Sequence, residues 1–136
     1  MTIEEQAREF SKRNIYLATE IKDNMQAIGF LNDRIKQHNQ NHYVINELLE
    51  RSPKDESVIL AVGQYNEDTK DLREKSGILK RINKRIHEDI HEFNQDFENW
   101  IDDPENYDWC QKNMIEEKFD DLFCGPINFA KKEFNL

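Results

Sequence analysis

Two apolar seams, each stepping alternately by four and three residues, run through most of this chain on either side of a proline. The first is Ile3, Ala7, Phe10, Asn14, Leu17, Ile21, Asn24, Ile28, Leu31, Ile35, His38, His42, Ile45 and Leu49. The second is Val58, Val62, Tyr65, Thr69, Leu72, Ser76, Leu79, Asn83, Ile86, Ile90, Phe93, Phe97 and Trp100. A repeat of this kind holds one stripe of a helix against a partner helix, as in a coiled coil. With only 4 Gly and 3 Pro, and 35% charged residues, the composition also favours long helices over a turn-rich sheet.

The breaks set the element boundaries. Thr2 and Glu5 have the spacing of a capping box, which places the first helix at about 3–50. Pro53 cannot continue that helix, and Ser52 as cap with Pro53 at the first helical position predicts a second helix over about 53–102. So short a connection forces the two to run antiparallel, each about 70 Å long at the helical rise. Asp103 and Pro104 repeat the cap-and-proline signal. A shorter third helix is expected over about 104–123, carried by Tyr107, Cys110, Met114, Ile115, Phe119, Leu122 and Phe123. Gly125 and Pro126 should close it, leaving a tail over 125–136 in which Phe129 and Phe134 are available to dock. The expected fold is all-α and single-domain over 1–136: a long antiparallel hairpin with the third helix packed on it or on a second subunit.

Polar seam positions at Asn14, Asn24, Ser76 and Asn83 read as register-fixing residues of a helical core, and so do His38 and His42, which fall opposite Tyr65 and Thr69. Apolar residues off the seam predict association. Ile15, Tyr16, Phe30, Tyr43 and Val44 on the first helix, with Ile59, Leu60, Ile78 and Ile82 on the second, need cover that one short helix cannot give along both. Ile15, Tyr16, Phe30, Tyr43, Val44, Ile78 and Ile82 form the expected oligomer face, and a homo-oligomer is expected.

The net charge of −9 is uneven. Between Glu88 and Asp121 stand thirteen acidic residues against two lysines. That block disfavours phosphate-rich partners such as nucleic acid or an anionic membrane. A short basic cluster, Lys80, Arg81, Lys84 and Arg85, precedes it and is expected to pair with acids such as Glu20 and Asp23 across the hairpin. No stretch is apolar enough to span a membrane and no secretion signal opens the sequence, so a cytoplasmic protein with Cys110 and Cys124 as reduced thiols is expected.

One short motif points to catalysis. His87, Glu88, Asp89, Ile90 and His91 read H-E-x-x-H on a predicted helix, and in these five residues resemble the signature of zinc metallopeptidases. The resemblance implies His87 and His91 as ligands, Glu88 as the base, and a third ligand such as Glu116 or Glu117. Asp89 and Ile90 depart from the family's usual hydrophobic and small residues, Ile90 belongs to the helical seam, and no strand precedes the motif to hold substrate. No Gly-rich phosphate loop, Ser-His-Asp pattern or C-x-x-C pair is present either. The expectation is a chain with no cofactor, no metal and no catalysis.

The leading expectation is therefore a protein-binding helical module that docks onto or sequesters another protein. Its recognition site is expected around the second proline break, with Trp100, Tyr107 and Trp109 as anchors and Asp102, Asp103, Glu105 and Asp108 as charged surround. The alternative is an acidic inhibitor that imitates DNA and blocks a nucleic-acid enzyme, in the manner of small phage-encoded counter-defence proteins.

Overall fold

Both seams become helices. The structure, a computed structural model, describes residues 1–114 and 120–136, and its order is α1 (Ile3–Arg51), α2 (Glu56–Ile101), α3 (Pro104–Met114) and α4 (Asp120–Phe134). Among the described residues there is no strand. All residues of the first seam are buried or half-buried except His42 and Leu49, and all of the second are. The heptad stripe is thus the packing stripe.

The caps follow chemistry readable in the sequence, with one correction. Thr2 Oγ1 accepts from Glu5 N at 3.1 Å and opens α1. Asp103 Oδ1 accepts from Glu105 N at 3.0 Å and opens α3 with Pro104 at its first position. The cap of α2, however, is Asp55, not Ser52. Asp55 Oδ1 takes both Ser57 N, at 2.9 Å, and Ser57 Oγ, at 2.7 Å, whereas Ser52 N still donates to Leu48 O at the end of α1. A cap at Ser52 would leave no residues to reverse the chain. The turn instead uses Pro53 and Lys54 and is closed by Asp55 N donating to Ser52 O at 3.2 Å.

Of the expected third helix over 104–123, the described residues show α3 to Met114 and helix again from Asp120 at the start of α4. Ile115, Phe119, Glu116 and Glu117 lie outside the described residues. The expected closure at Gly125 and Pro126 is a kink inside α4: Gly125 adopts φ 75, ψ 161, a backbone that favours glycine, and Pro126 restarts the helix. The stretch read as a tail is therefore helical to Phe134, with Pro126 and Ala130 fully buried.

The chain divides into two units. Unit 1 comprises Met1–Asn24 and Asn83–Leu136, and unit 2 comprises Met25–Ile82. In unit 1, α1 and α2 run antiparallel, as Arg13 meeting Asp96 and Asn24 meeting Asn83 show. The shorter helices pack on this pair within the same chain. Leu122 of α4 joins Ala7 of α1 in a core against which Phe10, Phe97, Trp100 and Trp109 pack, and Phe123 meets Phe97 edge-on at 5.7 Å. Phe134 takes the Lys22 ammonium over its ring at 4.8 Å.

Unit 2 is the two-helix turn region. Its antiparallel register is fixed by a polar layer: His38 Nε2 and Thr69 Oγ1 lie 2.7 Å apart, and the His38 ring stacks on Tyr65 with centroids 4.1 Å apart. Tyr65 Oη and His42 Nδ1 are 3.2 Å apart, and Asn46 Nδ2 donates to His42 Nε2 at 3.1 Å. This is the pairing the seams predicted. The buried apolar residues of unit 2 are Leu31, Val58 and Leu72, so its core is one seam deep.

Candidate functional site

The residues expected to recognise a partner separate into two groups. Trp100 and Trp109 face inward. Trp100 Nε1 donates to Gln6 Oε1 at 2.6 Å, its ring lies 5.2 Å from that of Phe10 and 6.1 Å from that of Phe97, and its carbonyl accepts from Asn106 Nδ2 at 2.8 Å. Trp109 packs against the Ala7 and Leu122 core. These are the contacts of residues that hold α1, α2, α3 and α4 together in unit 1. Both indoles are half-buried, so each offers only part of its surface to another protein. Tyr107 is 47% exposed and Asp102, Asp103, Glu105 and Asp108 are exposed, although the Asp103 carboxylate is engaged as the α3 cap.

The zinc-peptidase motif is solvent-facing. His87, Glu88 and His91 are exposed on α2, and Ile90 is buried in the seam. Among the described residues no group of three or more His, Cys, Asp and Glu is arranged to hold a metal ion, and the candidate third ligands lie outside those residues. His38 and His42 are engaged with Thr69, Tyr65 and Asn46. Of the basic cluster, Arg85 approaches Glu20 at 3.9 Å. Glu20 in turn accepts from the Tyr16 hydroxyl, and that hydrogen bond, followed by the Glu20 charge, holds the Tyr16 pKa above the ordinary phenol value. Cys110 is fully buried, and desolvation pushes its thiol up to about 11, which makes it a packing residue rather than a nucleophile.

No family model, no curated protein and no solved structure matches the chain. Its own surface is therefore the guide to its function.

Of the expected oligomer face, Ile15 and Tyr16 belong to unit 1 and Phe30, Tyr43, Val44, Ile78 and Ile82 to unit 2. Ile15, Tyr16, Phe30, Tyr43, Val44 and Ile78 are all exposed, and Ile82 is half-buried. Unit 2 adds exposed Met25, Leu48, Leu49, Ile59 and Leu60. Unit 2 holds an open groove of 340 Å³ whose apolar lining is Ala27, Phe30, Leu31, Ile78 and Leu79. Arg34 and Lys75 also line it, and both reach Asp71 Oδ2, at 3.3 and 2.9 Å. These two cations hold the Asp71 carboxyl below the ordinary carboxylate range. The sequence reading singled out Phe30 and Ile78 but missed Arg34, Lys75 and Leu48. The available signal was that Phe30, Arg34, Gln37, Asn41, Val44 and Leu48 recur at three and four residues, one face of a helix.

Charge also sorts by unit. Unit 2 holds nine Asp and Glu against nine Lys and Arg, while unit 1 holds nineteen against ten and so carries the whole net charge of −9. Among the described residues, no helix is long and apolar enough to cross a membrane.

Proposed function

We propose that the chain is a non-catalytic protein-binding helical module whose docking surface is unit 2. The observation that carries this reading is the exposure of large apolar side chains on a net-neutral two-helix unit, while the tryptophans of unit 1 are used internally. Such a surface matches an apolar patch on another protein. Tyr43 and Leu60, 77% and 74% exposed, lie near the turn and serve as its anchors. The test is capture from the native host with wild type and with the double variant Tyr43→Asp, Leu60→Asp. The partner should be lost with the variant while its helical circular dichroism is unchanged. A partner retained equally by both would refute this docking surface.

A second reading follows from the charge on unit 1: an inhibitor that presents carboxylates to the nucleic-acid site of an enzyme. It is supported by nineteen acidic residues against ten basic ones in that unit. Competition with duplex DNA for the captured partner would distinguish it from the apolar docking reading.

A further inference from the structure

The groove of unit 2 is rimmed by a side chain of the kind that fills such grooves. Phe30 is 71% exposed beside an apolar space of 340 Å³, and a closed apolar cavity of about 150 Å³ already accepts benzene. Along the same face, the α1 positions run Phe30, Arg34, Gln37, Asn41, Val44 and Leu48 toward the turn. The α2 positions run Ile78, Lys75, Asp71, Asp68, Gln64 and Ala61 in the same direction. The face is thus apolar at both ends, with Arg34 and Lys75 paired to Asp71 toward the groove end and Asp68 toward the other.

We infer that this face pairs with the same face of a second copy of the chain, antiparallel about the level of Gln37, to give an isologous four-helix dimer. In that arrangement the Phe30 and Ile78 end of each copy lies over the Val44 and Leu48 end of the other. Arg34 is carried toward Asp68 of the second copy. A two-fold contact needs a patch that is complementary to itself, and this order of apolar, cationic, acidic and apolar positions supplies one. Charge permits it, since nine acids meet nine bases on each unit 2 and no net repulsion opposes the approach. The apolar positions to be covered, Phe30, Val44, Leu48 and Ile78, are all exposed. This inference rests on the reading of unit 2 as a docking surface and names the occupant of one of its faces. Tyr43 lies off the helical positions it uses.

Sedimentation equilibrium of the full chain tests it. A species of about twice 16.4 kDa is expected at tens of micromolar. Phe30→Asp and Ile78→Asp should each weaken association at least tenfold with unchanged helicity, while Tyr43→Asp should leave it intact. Arg34→Glu should weaken the dimer, and Arg34→Glu with Asp68→Arg should restore it, because the swap rebuilds the contact between copies. A variant with Gln37→Cys should give a covalent dimer on mild oxidation. A monomer at every concentration to several hundred micromolar would overturn the inference, as would a dimer indifferent to Phe30→Asp. Failure of the charge swap and of the Gln37→Cys linkage would overturn the antiparallel pairing. A monomer that still loses its captured partner with Tyr43→Asp, Leu60→Asp would sink the dimer alone and leave the proposed function standing.

Discussion

Replacing Trp100 separates a structural tryptophan from a recognition one. Trp100→Ala removes an indole that packs on the Ala7 and Leu122 core, contacts Phe10 at 5.2 Å and Phe97 at 6.1 Å, and donates to Gln6 at 2.6 Å. Truncating a core Trp costs about 3–5 kcal/mol. Trp100 is half-buried rather than fully enclosed, which places it near the lower end, about 3 kcal/mol. Within that figure the hydrogen bond contributes about 1 kcal/mol and the aromatic contacts about 0.5–1.5 kcal/mol. Trp100→Phe keeps a ring against Phe10 but loses the donor and part of the volume, so about 1–1.5 kcal/mol is expected. The assay is urea unfolding followed at 222 nm at one fixed protein concentration, with Trp109 fluorescence as a second probe. The midpoint should fall in the order wild type, Trp100→Phe, Trp100→Ala at constant slope. If Trp100→Ala stayed within about 1 kcal/mol of wild type while weakening capture of a partner, the internal role would be refuted and the indole would be an interface anchor.

Three further outcomes are expected. Asn83→Leu should cost about 1–3 kcal/mol by stranding the Asn24 amide that now donates to Asn83 Oδ1 at 3.1 Å, whereas the double change Asn24→Leu, Asn83→Leu should return to within about 1 kcal/mol of wild type by the same unfolding assay. Cys124 should react with a thiol reagent at pH 8 while Cys110, raised to about 11 by burial, stays unmodified until the chain is unfolded, as mass spectrometry of the labelled peptides would show. The Asp55 carboxyl is held below its ordinary value by the Ser57 hydroxyl and amide, so its contribution is present above the unfolded carboxylate pKa and is lost as pH falls through the lowered folded one. Acidification should therefore fray the start of α2. Amide exchange at Ser57, Val58 and Ile59 should speed up relative to mid-helix amides, and Asp55→Ala should show that faster exchange already at neutral pH.

The seams determined the helices and the face each buries, because a heptad stripe is a local property, and the short connection then set their antiparallel sense and pairing. His38 opposite Thr69 and His42 opposite Tyr65 were legible for that reason. The proline breaks were legible too, since Pro53 and Pro104 act on their own backbone, although the choice of Asp55 over Ser52 depended on the residues needed to turn the chain. Tertiary structure decided which aromatics are covered. Trp100 and Trp109 look alike in sequence to surface anchors in an acidic setting, and their burial depends on contacts such as Gln6 with Trp100 and Ala7 with Leu122, each between residues more than ninety positions apart. It also decided that the segment after Gly125 continues as a helix, because a buried Pro126 and Ala130 need a surface to pack on that periodicity alone does not supply. The apolar surplus of unit 2 was visible as composition, but its concentration beside a groove with Arg34, Lys75 and Asp71 required two helices to be set side by side.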